Sequence, residues 1–165
     1  MYGEENTMDD TVLASLRGFG DVWERVTGEA ASPGPEDDLR RLMCRAERLI
    51  EYLSALSGRL RSAAPRLNRL TDGQRRILRR LRAELYLLTG EVYSPPAACA
   101  LAAGSLGALR TACLAAGEAA DDFADSARRA GSGLSALLDS FSAAERACSR
   151  ELKELILRAM DANST

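Results

Sequence analysis

The stretch TDGQRRILRRLRAELYLLTG, residues 71–90, decides how the chain is read. Ile77, Leu81, Leu85 and Leu88 recur at three- and four-residue steps, and Leu67 and Leu70 extend the series backward. That is the period of a helix with one buried face. Gly90 follows, where a left-handed cap residue ends a helix. One residue breaks the pattern: Gln74 occupies the apolar stripe where another leucine is expected.

The same spacing continues in both directions. Leu39, Leu42, Ala46, Leu49, Leu53, Leu56 and Leu60 predict a helix over about 36–63, and Pro65 lies just beyond it. The quoted stretch belongs to a helix over about 66–89. Ala102, Leu106, Leu109, Cys113, Ala116, Ala120, Phe123 and Ala127 predict another over about 96–130, whose small residues allow close approach of a neighbour. Leu134, Leu138, Phe141, Glu145, Cys148, Leu152, Leu155 and Ala159 predict a last one over about 133–160. Near the N-terminus, Val12, Leu16, Phe19, Trp23 and Val26 suggest a helix over about 9–27 that ends at Gly28. The stretch GEAASPGPE, residues 28–36, has the composition of a flexible connection. The link VYSPPAACALAAG begins at Val92 and could be extended, which would make it a long crossover between the second and third of the four long helices.

Composition agrees with an all-α chain. Ala, Leu, Arg and Glu abound, aromatic residues are 5% of the chain, and 165 residues suit one full-sized core. Four long helices with these steps pack best as a left-handed bundle. Residues 1–35 are expected to form an N-terminal helix and linker, and residues 36–165 the bundle.

The net charge of -2 conceals segregation: residues 1–39 carry -8, residues 40–82 carry +10 and the remainder -4. Clustered arginines can neutralise phosphates. Here, however, Arg40, Arg41, Arg48, Arg75, Arg76, Arg79 and Arg82 mostly fall on outward helix faces, and no aromatic residue is interleaved to stack on bases. Nucleic acid is therefore not the expected partner. The N-terminus MYGEENTMDD is acidic where a secretory signal would be basic and then apolar, and no apolar run reaches the roughly eighteen residues of a membrane span. A cytoplasmic location without membrane contact is expected. The four cysteines, Cys44, Cys99, Cys113 and Cys148, show no C-x-x-C spacing and read as free thiols. With no histidine and no Gly-rich phosphate loop, the usual hydrolase and nucleotide-binding arrangements lack their parts.

Two of the long helices carry polar intrusions in equivalent places. Gln74 and Ile77 are spaced i, i+3 on one stripe, Glu145 and Cys148 on the other. Helical bundles build dinuclear metal sites on this plan, with a Glu from each of two helices and Glu-x-x-His from each of the other two. The segment from Gln74 to Gly90 resembles the second bundle helix of rubrerythrin-like, ferritin-like proteins, and Ala144-Glu145-Arg146-Ala147-Cys148 is similar to the motif of their fourth. Tyr52 resembles the tyrosine one heptad after the first helical glutamate of that family. VWERVTG, residues 22–28, with the proline-rich linker after it, looks like an N-terminal appendage of some bacterial members.

The resemblance implies a ferritin-like four-helix bundle with an additional N-terminal helix, and a centre that has lost its ligands. The first glutamate maps to Arg45, with Ala46 beside it; Glu-x-x-His becomes Gln74 and Ile77; residues 96–117 contain no acid; Glu145 survives, with Cys148 in the place of histidine. Such a set cannot assemble a di-iron centre. Gln74 is expected to hydrogen-bond Glu145, and Arg45 to pair with it. The chain then reads as non-catalytic and without a cofactor, structural or partner-binding, with self-association through the alanine-rich helix. The competing reading is a metalloprotein or redox protein in which Cys44, Cys113 and Cys148 lie at one height and, with Glu145, bind zinc or iron.

Overall fold

The computed structural model describes residues 34–95 and 104–162, and these form helices with connections. The expected N-terminal helix lies outside them, and of the expected linker over residues 28–36 only residues 34–36 are described, with Pro35 and Glu36 already helical. Helix α1, Pro35–Arg59, starts with proline at its first position, where no N–H is needed, and carries Glu36, Asp37 and Asp38 against the positive end of its dipole. Helix α2, Ala64–Thr89, also has a proline in its first turn and stops at Gly90, whose φ of 73° lets its N–H reach the Tyr86 carbonyl at 2.8 Å. Helix α3 is Ser105–Arg129, with Arg128 and Arg129 against its negative end. Helix α4, Ser132–Ala162, follows after a short turn. The first helix is thus shorter at its C-terminus than the spacing suggested, and α3 has no described residue before Gly104.

Cross-helix contacts give the topology. Arg82 pairs with Glu47 and Ser57 bonds Asn68, so α1 and α2 are antiparallel. Ser142 bonds the Ala120 carbonyl and Cys113 the Ser149 carbonyl, so α3 and α4 are antiparallel too. Asp38 meets Arg129 and Arg45 meets Glu118, which sets α1 against α3; Arg66 meets Glu151 and Gln74 meets Glu145, which sets α2 against α4. The four helices form a ring in the order α1, α2, α4, α3.

The connection between the two hairpins follows from this ring. α2 ends beside the start of α1, where Arg40 reaches Glu91 at 2.6 Å. α3 begins beside the end of α1, where Ala108 and Leu109 share a core cluster with Leu53 and Leu56. The link from residue 90 to residue 104 therefore joins opposite ends of the bundle, the crossover that the VYSPP segment suggested. Its described start already lies along α1: the Tyr93 hydroxyl donates to Glu47 at 3.0 Å, and the Arg82 guanidinium lies 5.8 Å from the Tyr93 ring centre.

The core is in two apolar parts. One gathers Leu49, Leu53, Leu56, Leu67, Ala112 and Leu152; the other gathers Leu39, Leu42, Met43, Leu81, Leu85 and Phe123, whose ring meets Phe141 edge-on at 5.7 Å. The predicted stripes supply nearly all of these residues. Leu88 is an exception at 50% exposure. It lies three heptads after Leu67, and a straight helix drifts by about 20° per heptad, enough to turn the last leucine out of the interior. The alanines of α3 that were expected to mediate self-association, including Ala108, Ala112, Ala116, Ala119 and Ala120, are buried inside the bundle instead. Among the described residues no helix is long and apolar enough to cross a membrane.

Candidate functional site at the central polar layer

Between the two apolar parts lies a thin polar layer. Thr71, Gln74, Ser142 and Glu145 are all buried there, because each falls on the inward stripe of its helix. Two of them satisfy themselves on nearby backbone. Thr71 Oγ1 donates to the Leu67 carbonyl at 2.9 Å, and Ser142 Oγ to the Ala120 carbonyl at 2.8 Å. The other two meet across the core, with Gln74 Nε2 donating to Glu145 Oε2 at 2.9 Å, as the sequence suggested.

This contact leaves a deficit. Glu145 Oε1 and Gln74 Oε1 are both buried and have no hydrogen-bond partner among the described residues. Both are acceptors, so neither can serve the other while Glu145 is ionised. Burial raises the Glu145 pKa to about 7, against the opposing effect of the Gln74 hydrogen bond. A protonated Glu145 gains a donor that the ionised form lacks. Cys148, one turn along α4, has its thiol pushed up to about 12, first by burial and then by the charge of Glu145. It stays a neutral thiol at ordinary pH and is a weak nucleophile.

The remaining positions of the expected metal site do not converge on Glu145. Arg45 is turned to the α1–α3 seam, with Nε 2.9 Å from Asp122 Oδ2 and Nη1 2.8 Å from Glu118 Oε2. The expected Arg45–Glu145 pair is therefore absent. Two carboxylates on the next helix draw the guanidinium outward, and the inward place on α1 belongs to Ala46, which is 1% exposed. Ile77 lies in the apolar cluster beyond the layer, and Tyr52 in the one before it. On α3 the layer meets Ala116, Ala119 and Ala120, whose side chains offer no ligating atom.

The alternative thiol site is not assembled either. Cys113 and Cys148 are electrostatic neighbours, and Cys113 lies in the α3–α4 seam with Sγ 3.4 Å from the Ser149 carbonyl. Cys44 is near Tyr93, on the α1–α2 side. Its place beside the stripe, not on it, turns it away from the other two. Among the described residues no group of three or more His, Cys, Asp or Glu is placed to hold a metal ion.

One cluster escaped sequence reasoning. Asp38 is 5% exposed and takes Arg129 through both carboxylate oxygens at 2.8 and 2.9 Å, while Arg41 reaches Oδ1 at 2.9 Å and Ser126 Oγ at 3.2 Å. It clamps the start of α1 to the end of α3. In the sequence Asp38 was one acid among the three that begin α1, and nothing local marked it as the buried one. The arginine-rich segment is in part neutralised through such pairs: Arg40 with Glu91, Arg82 with Glu47, and Arg66 with Glu151 and Glu154.

Comparison with family models, with curated proteins and with solved structures finds no match for this chain.

Proposed function

We propose that the chain is a non-catalytic bundle of the ferritin-like, rubrerythrin-related type, in which the Gln74–Glu145 contact stands where a dinuclear metal centre once was, and that it serves as a structural or partner-binding module. The content of the central layer carries this reading. It holds one carboxyl group, bonded to a carboxamide, opposite alanines on α3 and beside an arginine that points away to Asp122 and Glu118. A pair of divalent cations needs several anionic oxygens and nitrogen donors, and a lone carboxyl held protonated up to about pH 7 is a poor substitute.

The topology supports the ancestry. Two antiparallel hairpins joined by one long crossover is the arrangement that ferritin-like bundles share. The partner-binding half draws on large apolar residues left in the open: Leu87 is 79% exposed and Val92 86%, both at the end of α2 and the start of the crossover.

Metal analysis tests the reading. Protein purified without added metal should contain far less than stoichiometric iron or zinc, and ferrous iron added in excess should leave its melting temperature and visible absorption unchanged. Stoichiometric iron that colours the protein and raises its melting temperature would overturn it.

A further inference from the structure

The bundle is open on one side. α1 packs closely on α2 and on α3, and α3 on α4, whereas α2 and α4 meet through fewer contacts, among them Gln74–Glu145 and Arg66–Glu151, and leave a cleft of about 480 Å³ along their seam. That volume is within the usual range for small-molecule sites, roughly 300–1,000 Å³. The α2 wall has two rows, each stepping by three and four residues. Arg69, Gly73, Arg76 and Arg80 form the outer row; Leu70, Gln74 and Ile77 form the deeper one. α4 contributes Leu137, Phe141 and Ala144, with Cys148 at one end.

Two features of this cleft specify an occupant. Its deeper surface is apolar, and Gly73 and Ala144 leave it unobstructed: a Cβ at Gly73 would meet no atom within 4 Å. Its outer row carries three arginines, and no acid lines it. Arg80 shares its charge with Glu84, but Arg69 and Arg76 make no ion pair with a described residue.

We propose that this cleft binds a single-chain anionic amphiphile of the fatty acid class. The alkyl chain lies on Leu70, Ile77, Leu137 and Phe141. The carboxylate meets Arg69 and Arg76 at the rim, where guanidinium groups suit it. The proposal goes beyond the function given above and does not depend on the history of the central layer.

Calorimetric titration of the full chain with decanoate, below its micellar concentration, tests this. Saturable binding of one molecule per chain is expected. It should weaken by well over tenfold for Arg69→Ala with Arg76→Ala, which removes two charged hydrogen bonds to the carboxylate. Gly73→Leu should abolish it while keeping the helical circular dichroism and melting temperature, since the new side chain enters open space. Binding that survives Gly73→Leu, or decanol binding as tightly as decanoate, would overturn the proposal. So would sedimentation of the chain with phosphatidylglycerol vesicles in the absence of any titratable binding of the free acid, because exposed arginines alone would then account for the attraction to anions.

Discussion

Glu145→Gln exchanges one oxygen for an NH2 group at the centre of the bundle and leaves shape and volume almost unchanged. In the unfolded chain the carboxyl titrates near 4.5, whereas burial in the fold holds it protonated up to about 7. Between these values the folded state binds more protons than the unfolded one. The contribution of this group is therefore fully present below 4.5 and is lost as pH rises through 7, the reverse of a carboxylate paired with arginine. At 1.36 kcal/mol per pKa unit the loss is about 3 kcal/mol, an upper figure for a group with no exposure. Glutamine is neutral throughout and brings a donor for one of the two unpartnered oxygens. The variant should match the parent near pH 4.5 and exceed it by about 3 kcal/mol at about pH 8, or roughly 6–12 °C in melting temperature for a chain of this length. Ion-paired carboxylates elsewhere are common to both proteins and cancel in the difference. Urea and thermal unfolding followed by far-ultraviolet circular dichroism, repeated across this pH range, measure it. A variant less stable than the parent at about pH 8, or a difference that does not change with pH, would refute a carboxyl buried against a neutral partner.

Other substitutions probe the same architecture. Gln74→Leu combined with Glu145→Leu replaces the polar contact by an apolar pair and should be neutral or stabilise by up to about 2 kcal/mol near neutral pH, whereas Gln74→Leu alone should cost about 1–3 kcal/mol by leaving Glu145 without its donor. Chemical unfolding of the three proteins side by side distinguishes these outcomes. Asp38→Ala removes the carboxylate that Arg129 and Arg41 share and should cost about 1–3 kcal/mol. That loss should persist at high salt, because a carboxylate buried to this degree is poorly screened.

The spacing of apolar residues was enough to tell which face of each helix lies inside. Leu39, Leu42, Leu53, Leu81, Leu109 and Leu152 are all buried, and the polar residues it placed among them, Gln74 and Glu145, are buried as well. Periodicity carries this information because a helix repeats every 3.6 residues regardless of its surroundings, so an inward stripe is written locally. What periodicity does not carry is the direction taken by a residue on the flank of a stripe. Arg45 could meet Glu145 or leave for Asp122 and Glu118, and the choice belongs to whichever helix stands on that side. The same holds for Cys44, which faces the α1–α2 side, and for Asp38, buried only because Arg129 comes from 91 residues away to cover it. The opening between α2 and α4 is likewise a matter of interhelical distance. Gly73 and Ala144 were visible in the chain as small residues, but only their opposition across the bundle makes a cleft of them. Local sequence sets the orientation of a helix about its own axis; its neighbours, and the distance at which they pack, are decided by the whole chain at once.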